Sequence, residues 1–235
     1  MTFQPKPFYA LTILGMLLLV SYFAGMWQST DVFLFDVLNG SLSAEFSYYN
    51  QFWALMSVRY TDLIPLIFIL LSFLTWQKEQ RLKALTFFVS LLLLMLIVRE
   101  CLDIYLEWKM FDRESPSLVM SQVIRLSLLF DFNLKDASAT SFPGDHAAVL
   151  LTWMGYFIFS HKGKHFFWVL LIVVLFSLPR LIAGAHWASD VLVGGLSIAL
   201  IALALGLFTP ILNKPNQWLQ KLTPRFVTKL FNQLP

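Results

Sequence analysis

Arg180, His186 and Asp190 stand at a spacing that suits chemistry on an anion. On a helix, His186 and Asp190 at i and i+4 share a face. A carboxylate so placed accepts from one imidazole nitrogen and orients the other, which is how a nucleophile or base is activated. Arg180 carries a planar guanidinium that grips phosphate oxygens in pairs. A second run, Ser141-Phe142-Pro143-Gly144-Asp145-His146, reads as a helix start, with Ser141 as cap and Pro143 in the first turn. First-turn amides near Gly144 and Asp145 attract an anion, and Gly144 lets it approach the backbone closely. His146 supplies a second imidazole to donate or accept a proton. A third run, Arg113-Glu114-Ser115-Pro116, shows a similar cap pattern and adds a cation. Runs of this kind are also ordinary in surface loops.

These residues need a scaffold, and composition says which kind. Of 235 residues, 58% are hydrophobic and only 13% charged, where a soluble domain carries about 25% charged residues. Mean hydropathy is +0.69. Too few polar groups exist to cover a soluble globule, and disorder is excluded for the same reason. The one cysteine, Cys101, excludes an internal disulfide framework and a zinc site built on several thiolates. A net charge of +3 makes no case for nucleic acid.

Six segments are apolar enough to span a membrane: 8–27, 62–76, 84–105, 143–160, 166–184 and 190–212. The second is short and must borrow length from 53–60. The first shows no convincing cleavage site and reads as an uncleaved anchor. The expectation is an all-α, six-span bundle in one domain, 1–235. With the N-terminus cytoplasmic, ten of the 17 basic residues and one of the 14 acids fall on the cytoplasmic side, as the positive-inside rule requires. The loop 106–142 is then external, with an interfacial amphipathic helix over 118–130. The tail 213–235 is cytoplasmic, with a cationic surface helix over 218–231. Gly194 and Gly195 suggest close helix packing.

This orientation sets Asp62, Arg99, Glu100, Asp145, His146, Arg180, His186 and Asp190 at the outer ends of spans two to six. Ionisable groups at such depth are costly and mark a site or a paired network. Asp62 by itself reads as helix-end decoration. The His/Arg/Asp set reads as one polar cavity on the outer face. Two histidines, two arginines and two helix starts favour an oxyanion, and phosphoryl transfer needs little beyond positioning and charge stabilisation. A metal on His146, His186 and Asp190 is the competing reading. Arginines would repel a cation, and His161 and His165 fall on the opposite face.

Arg-x5-His-x3-Asp, preceded by Pro-x-x-His at a span start, resembles the type 2 phosphatidic acid phosphatase superfamily, six-span relatives of the vanadium haloperoxidases. The third family block fits from Arg180 to Asp190, with Pro179 where the family has serine. The second is present as Pro143-Gly144-Asp145-His146. In the first, Ser115-Pro116 replaces Arg-Pro, with Arg113 two residues early. The family lysine has only Lys109, one residue off register, or Lys135 as a remote substitute. The resemblance implies His186 as the nucleophile forming a phosphohistidine, Asp190 as its orienting group and His146 as general acid and later base. It implies phosphate contacts from Arg180, Arg113, Gly144 and Asp145, and no metal or other cofactor.

Lys135-Asp136-Ala137-Ser138, the block ending at His146, Gly184-Ala185-His186-Trp187 and Leu207-Phe208-Thr209-Pro210 resemble a subfamily of lipid A phosphotransferases of Gram-negative bacteria. This implies a bacterial inner-membrane enzyme with a periplasmic site. The implied donor is undecaprenyl diphosphate, and the implied acceptor is the 1-phosphate of lipid A. A phosphatase acting on undecaprenyl diphosphate or phosphatidylglycerol phosphate is the alternative, with water as the attacking group. A non-enzymatic transporter or scaffold is the reading from another class. Spacing alone says nothing of acceptor or oligomeric state.

Overall fold

A computed structural model describes residues 2–223, and among them every regular element is helical. In chain order, α1 (Pro5–Phe23) and α2 (Gln28–Asn39) are followed by α3 (Tyr48–Met56), a 3-10 turn over Arg59–Asp62, α4 (Leu63–Ser72) and α5 (Lys78–Trp108). Two one-turn helices, α6 (Pro116–Val119) and α7 (Leu126–Leu129), lie in the long loop. Then come α8 (Asp145–Ser160), α9 (Phe166–Ile182), a π-helical turn over Asp190–Gly195 that runs into α10 (Leu196–Phe208), and α11 (Asn213–Leu222). Three stretches among the described residues are long and apolar enough to cross a membrane: Pro5–Phe23, Lys78–Trp108 and Asp190–Phe208. Phe166–Ile182 is a shorter apolar helix.

Several boundaries differ from the sequence expectation, each for a physical reason. Residues 53–60 do not lengthen the second span, because α3 ends at Met56 and the chain turns through Ser57 to Asp62 before α4 begins. Helix α5 starts at Lys78 rather than 84, taking Glu79 into its first turn, where an acid suits the helix dipole. Helix α8 starts at Asp145, not at Pro143. The segment 118–130 is not one helix. Asn39 pins its middle, accepting from the Ile124 N–H at 2.9 Å and donating to the Ile124 carbonyl at 3.1 Å. Backbone groups satisfied by a side chain have no need of a helix. Of the expected tail helix, Trp218 and Lys221 lie on α11, while the residues beyond 223 lie outside the described residues.

The largest buried cluster joins Phe73, Phe87, Phe88, Leu91, Trp153, Tyr156 and Phe157 toward the α8–α9 turn. Two smaller clusters flank the opposite end. One contains Tyr22, Leu106, Phe142 and Val193, the other Leu42, Ala54, Leu126, Phe130, Ile182 and Ala183. Lipid tails are as apolar as leucine, so close packing rather than transfer from water holds such helices together. Gly195 shows this: a Cβ there would meet the Ala147 Cβ at 2.9 Å and the Ala148 nitrogen at 3.1 Å. The π turn thereby lies against the first turn of α8. Their contact line carries the polar residues described next.

Candidate active site

Helix α9 ends at Ile182, and Gly184 turns the chain with φ +78°, a conformation glycine adopts without a Cβ penalty. The N–H groups of Ala185 and His186 both donate to the Arg180 carbonyl, at 2.9 and 3.3 Å. This turn leaves His186 ahead of the next helix rather than on it. His186 and Asp190 therefore do not share the helix face that their spacing predicts. Instead Asp190 Oδ2 accepts from the Trp187 N–H at 2.7 Å and lies 3.5 Å from His186 Nδ1. The closer partner of Nδ1 is the Ser141 carbonyl, at 2.8 Å. A carbonyl only accepts, so Nδ1 carries a proton, and in the neutral ring Nε2 keeps its lone pair.

The segment before α8 holds these groups by backbone contacts and not through an open anion nest. Ser141 does not cap the helix; Gly144 occupies that position. The Ser141 N–H donates to the Arg113 carbonyl at 2.7 Å, and its hydroxyl is buried with no hydrogen-bond partner among the described residues. The Gly144 N–H is taken by the Asp190 carbonyl at 3.0 Å, and a Cβ on Gly144 would meet that same oxygen at 2.9 Å. The glycine admits a neighbouring backbone, not an anion. Asp145 pairs with Arg99 at 3.0 Å.

Arg113 does not stand free for phosphate. Its guanidinium bonds Asp190 Oδ1 at 2.9 Å, Ser189 Oγ at 2.8 Å and Asp31 Oδ2 at 2.6 Å. Asp31, on α2, also accepts from the Ser189 N–H at 2.8 Å and hydroxyl at 2.6 Å. Both carboxylates are almost fully buried. A buried charge persists only when paired and hydrogen-bonded, and Arg113 supplies the shared cation. The Asp31–Arg113–Asp190 network fixes the loop that carries His186.

On the other side, Arg180 is 4% exposed. It donates to the Ser57 carbonyl at 2.8 Å and to both oxygens of Asp62, at 3.0 and 2.9 Å. Asp62 Oδ2 also lies 2.8 Å from His146 Nε2. Ser57 is the hinge of this side. Its hydroxyl donates to the Pro179 carbonyl at 3.1 Å, and its carbonyl also accepts from the Lys135 N–H at 3.2 Å. Lys135 is half-buried. Burial and the nearby Arg180 and Arg59 charges hold its ammonium below the ordinary lysine value.

A cavity of about 290 Å³ is lined by His186, Arg113, Lys135, Arg99 and Asp145. A second space of about 10 Å³ is bounded by His146, Arg180, His186 and Gly144. The predicted residues His186, His146, Asp190, Arg180, Arg113, Gly144, Asp145, Ser141 and Lys135 thus gather at one end of the bundle. Lys109 does not. It ends α5 with Nζ 4.3 Å from the Trp108 ring centroid, and it does not line that cavity. Among the described residues, no group of three or more His, Cys, Asp or Glu could hold a metal ion.

Comparison with known proteins places this geometry. Residues 88–214, more than half of the chain, match the model of the PAP2 superfamily. The chain belongs to the PAP2 superfamily. It is 31% identical over 225 residues to the lipid A 1-diphosphate synthase of Escherichia coli (strain K12), covering 91% of this chain and 92% of that protein. The crystal structure of Aquifex aeolicus LpxE is similar with a TM-score of 0.45 and 22% identity, over 75% of this chain and 93% of that one. The PAP2 match begins after Asp31, which the sequence reading missed, and after Asp62, which it took for helix-end decoration. The signal that could have found them is physical: each is a lone acid beside a long apolar segment, where charge is expensive unless paired.

Proposed function

We propose that this PAP2 enzyme moves a phosphoryl group between membrane lipids, through a phosphohistidine at His186. The donor is undecaprenyl diphosphate and the acceptor the 1-phosphate of lipid A. In this reading six helical segments cross the inner membrane, both termini are cytoplasmic, and the cavity opens to the periplasm. The observation that carries the chemistry is the Nδ1–H of His186 held by the Ser141 carbonyl at 2.8 Å, which leaves Nε2 as the nucleophilic atom. The similarity to a lipid A 1-diphosphate synthase over nine-tenths of both chains supports the choice of acceptor.

The reaction runs in two displacements. The Nε2 lone pair attacks the distal phosphorus. The bond to the bridging oxygen breaks, and its electron pair leaves with undecaprenyl phosphate. His146 shares a proton with that oxygen where one is needed. A phosphate monoester leaves far more readily than an alkoxide, so the demand on His146 as acid is modest. An oxygen of the lipid A phosphate then attacks the phosphohistidine. The P–N pair returns to His186, and any proton on the entering oxygen passes to His146. Arg180 and Lys135 offset the negative charge of the transferring group.

The test supplies purified protein in liposomes with undecaprenyl diphosphate labelled in its distal phosphate, with and without lipid A. Label on lipid A, absent in His186→Ala, is the expected result. Label released only as inorganic phosphate would make the enzyme a phosphatase.

A further inference from the structure

The contact that the sequence motifs leave unexplained is Asp62. It belongs to none of the three motif blocks and lies outside the matched family segment. Yet its carboxylate joins the two groups assigned to opposite tasks, the proton-transferring His146 and the phosphate-gripping Arg180. Asp62 Oδ2 is 2.8 Å from His146 Nε2, and both Asp62 oxygens accept from Arg180 Nη2, at 3.0 and 2.9 Å. The side chain is only partly exposed, at 38%, and Arg180 is at 5%.

We infer that Asp62 is a positioning residue for His146. It accepts from the Nε2–H, fixes the ring plane, and leaves Nδ1 as the atom that exchanges a proton with the leaving and entering oxygens. The inference rests on the reading of His146 as acid and base. A carboxylate on one imidazole nitrogen sets which tautomer the other presents. Here that carboxylate comes from a turn far away in sequence. The turn is itself rigid: Thr61 Oγ1 donates to the Val58 and Met56 carbonyls, and Val58 pairs with Leu134 in an isolated bridge. Arg180 completes the arrangement. It holds the carboxylate on its other side, so Asp62 cannot turn away from His146 without giving up that pair.

The test uses vanadate, which binds as a trigonal-bipyramidal analogue of the transferring group and needs no knowledge of the donor lipid. Its affinity is measured by thermal shift on full-length protein in detergent. The proteins compared are wild type, Asp62→Asn, Asp62→Glu, His146→Gln, the Asp62→Asn/His146→Gln double variant and His186→Ala. Asp62→Asn and His146→Gln should each weaken vanadate by roughly tenfold. The double variant should be no weaker than His146→Gln alone, because residues acting through one contact are not additive. Asp62→Glu, which keeps the charge, should lose less than Asp62→Asn, and it serves as the test if Asp62→Asn does not fold. Losses that multiply in the double variant, or wild-type affinity in Asp62→Asn, would overturn the inference while leaving the histidine reading intact. Vanadate that fails to bind wild type, or that binds His186→Ala equally well, would overturn the phosphohistidine reading and this inference with it.

Discussion

The α8–α9 hairpin and its flanking turns present two pairs of histidines at opposite ends. His146 sits in the first turn of α8 and His161 just past its last, about 22 Å apart for 15 residues at 1.5 Å each. His146 meets a carboxylate that also holds an arginine, and His186 beside it meets a carbonyl and a second carboxylate. His161 has aromatic company instead. It stacks on Phe157 with ring centroids 4.2 Å apart, meets Trp76 edge-on at 4.1 Å, and its Nε2 lies 3.0 Å from Thr75 Oγ1. The buried arginines differ in the same way. Arg81, at the His161 end, donates to the Leu74 and Trp76 carbonyls and closes the end of the α4 segment. Arg180 shares a carboxylate with a histidine. Residue type alone does not make a site. At the candidate site carboxylates join the backbone in orienting imidazole and guanidinium, while at the other end the partners of His161 and Arg81 are backbone carbonyls, rings and a hydroxyl.

The sharpest way to break this comparison is to delete one histidine at each end. His186→Ala should lower phosphoryl transfer by about a thousandfold or more, as removal of a nucleophile does elsewhere. His165→Ala, at the other end, should change it by no more than about twofold, the effect of an ordinary surface substitution. Comparable losses from both would refute the division into a reactive and a structural end.

The second effect is on stability. Asp31→Ala leaves the Ser189 N–H unpaired and takes one of two carboxylates from a half-buried Arg113. The cost should be about 3 kcal/mol, in the range for breaking a buried ion pair. Unfolding of the detergent-solubilised protein would read this directly, and an unchanged midpoint would mean that the network holds nothing in place.

The smallest effect separates the ends by pH. Burial against its aromatic neighbours holds the His161 ring below the usual imidazole value of 6.5, more than the Phe157 carbonyl restores. The folded protein therefore resists protonation there. Stability is unaffected well above 6.5 and declines as pH falls through that value and below, where the unfolded chain binds the proton more readily. His161→Gln should flatten that decline between pH 7 and 5 without changing transfer at pH 7.5. A decline of the same size in the variant would place its origin elsewhere.

Much of the candidate site was legible because its residues lie close together in sequence. Arg180, His186 and Asp190 lie within eleven residues, and His146 announces itself at a span start. Local spacing misled where tertiary contacts compete with it. A helix-face argument for His186 and Asp190 fails because Gly184 breaks the helix between Arg180 and His186. Gly144 and Arg113 looked like anion ligands by type. Gly144 instead gives its N–H to the Asp190 carbonyl, and Arg113 gives its guanidinium to two carboxylates. The 118–130 segment has the leucines of an amphipathic helix but loses that form to Asn39, which lies 85 residues from Ile124.

By itself the sequence determined the apolar surroundings, the helical class and which groups are candidates for the chemistry. Hydropathy is a sum over local composition, and a charge at the end of an apolar segment must find a use or a partner. Only the tertiary structure decided which partner. Hydrogen bonds act over 3 Å and take no account of chain separation. Asp62 reaches Arg180 across 118 residues and Asp31 reaches Ser189 across 158. Those two carboxylates come from turns and short helices whose own sequences carry no reactive motif. Their meaning exists only once the bundle has folded around the site.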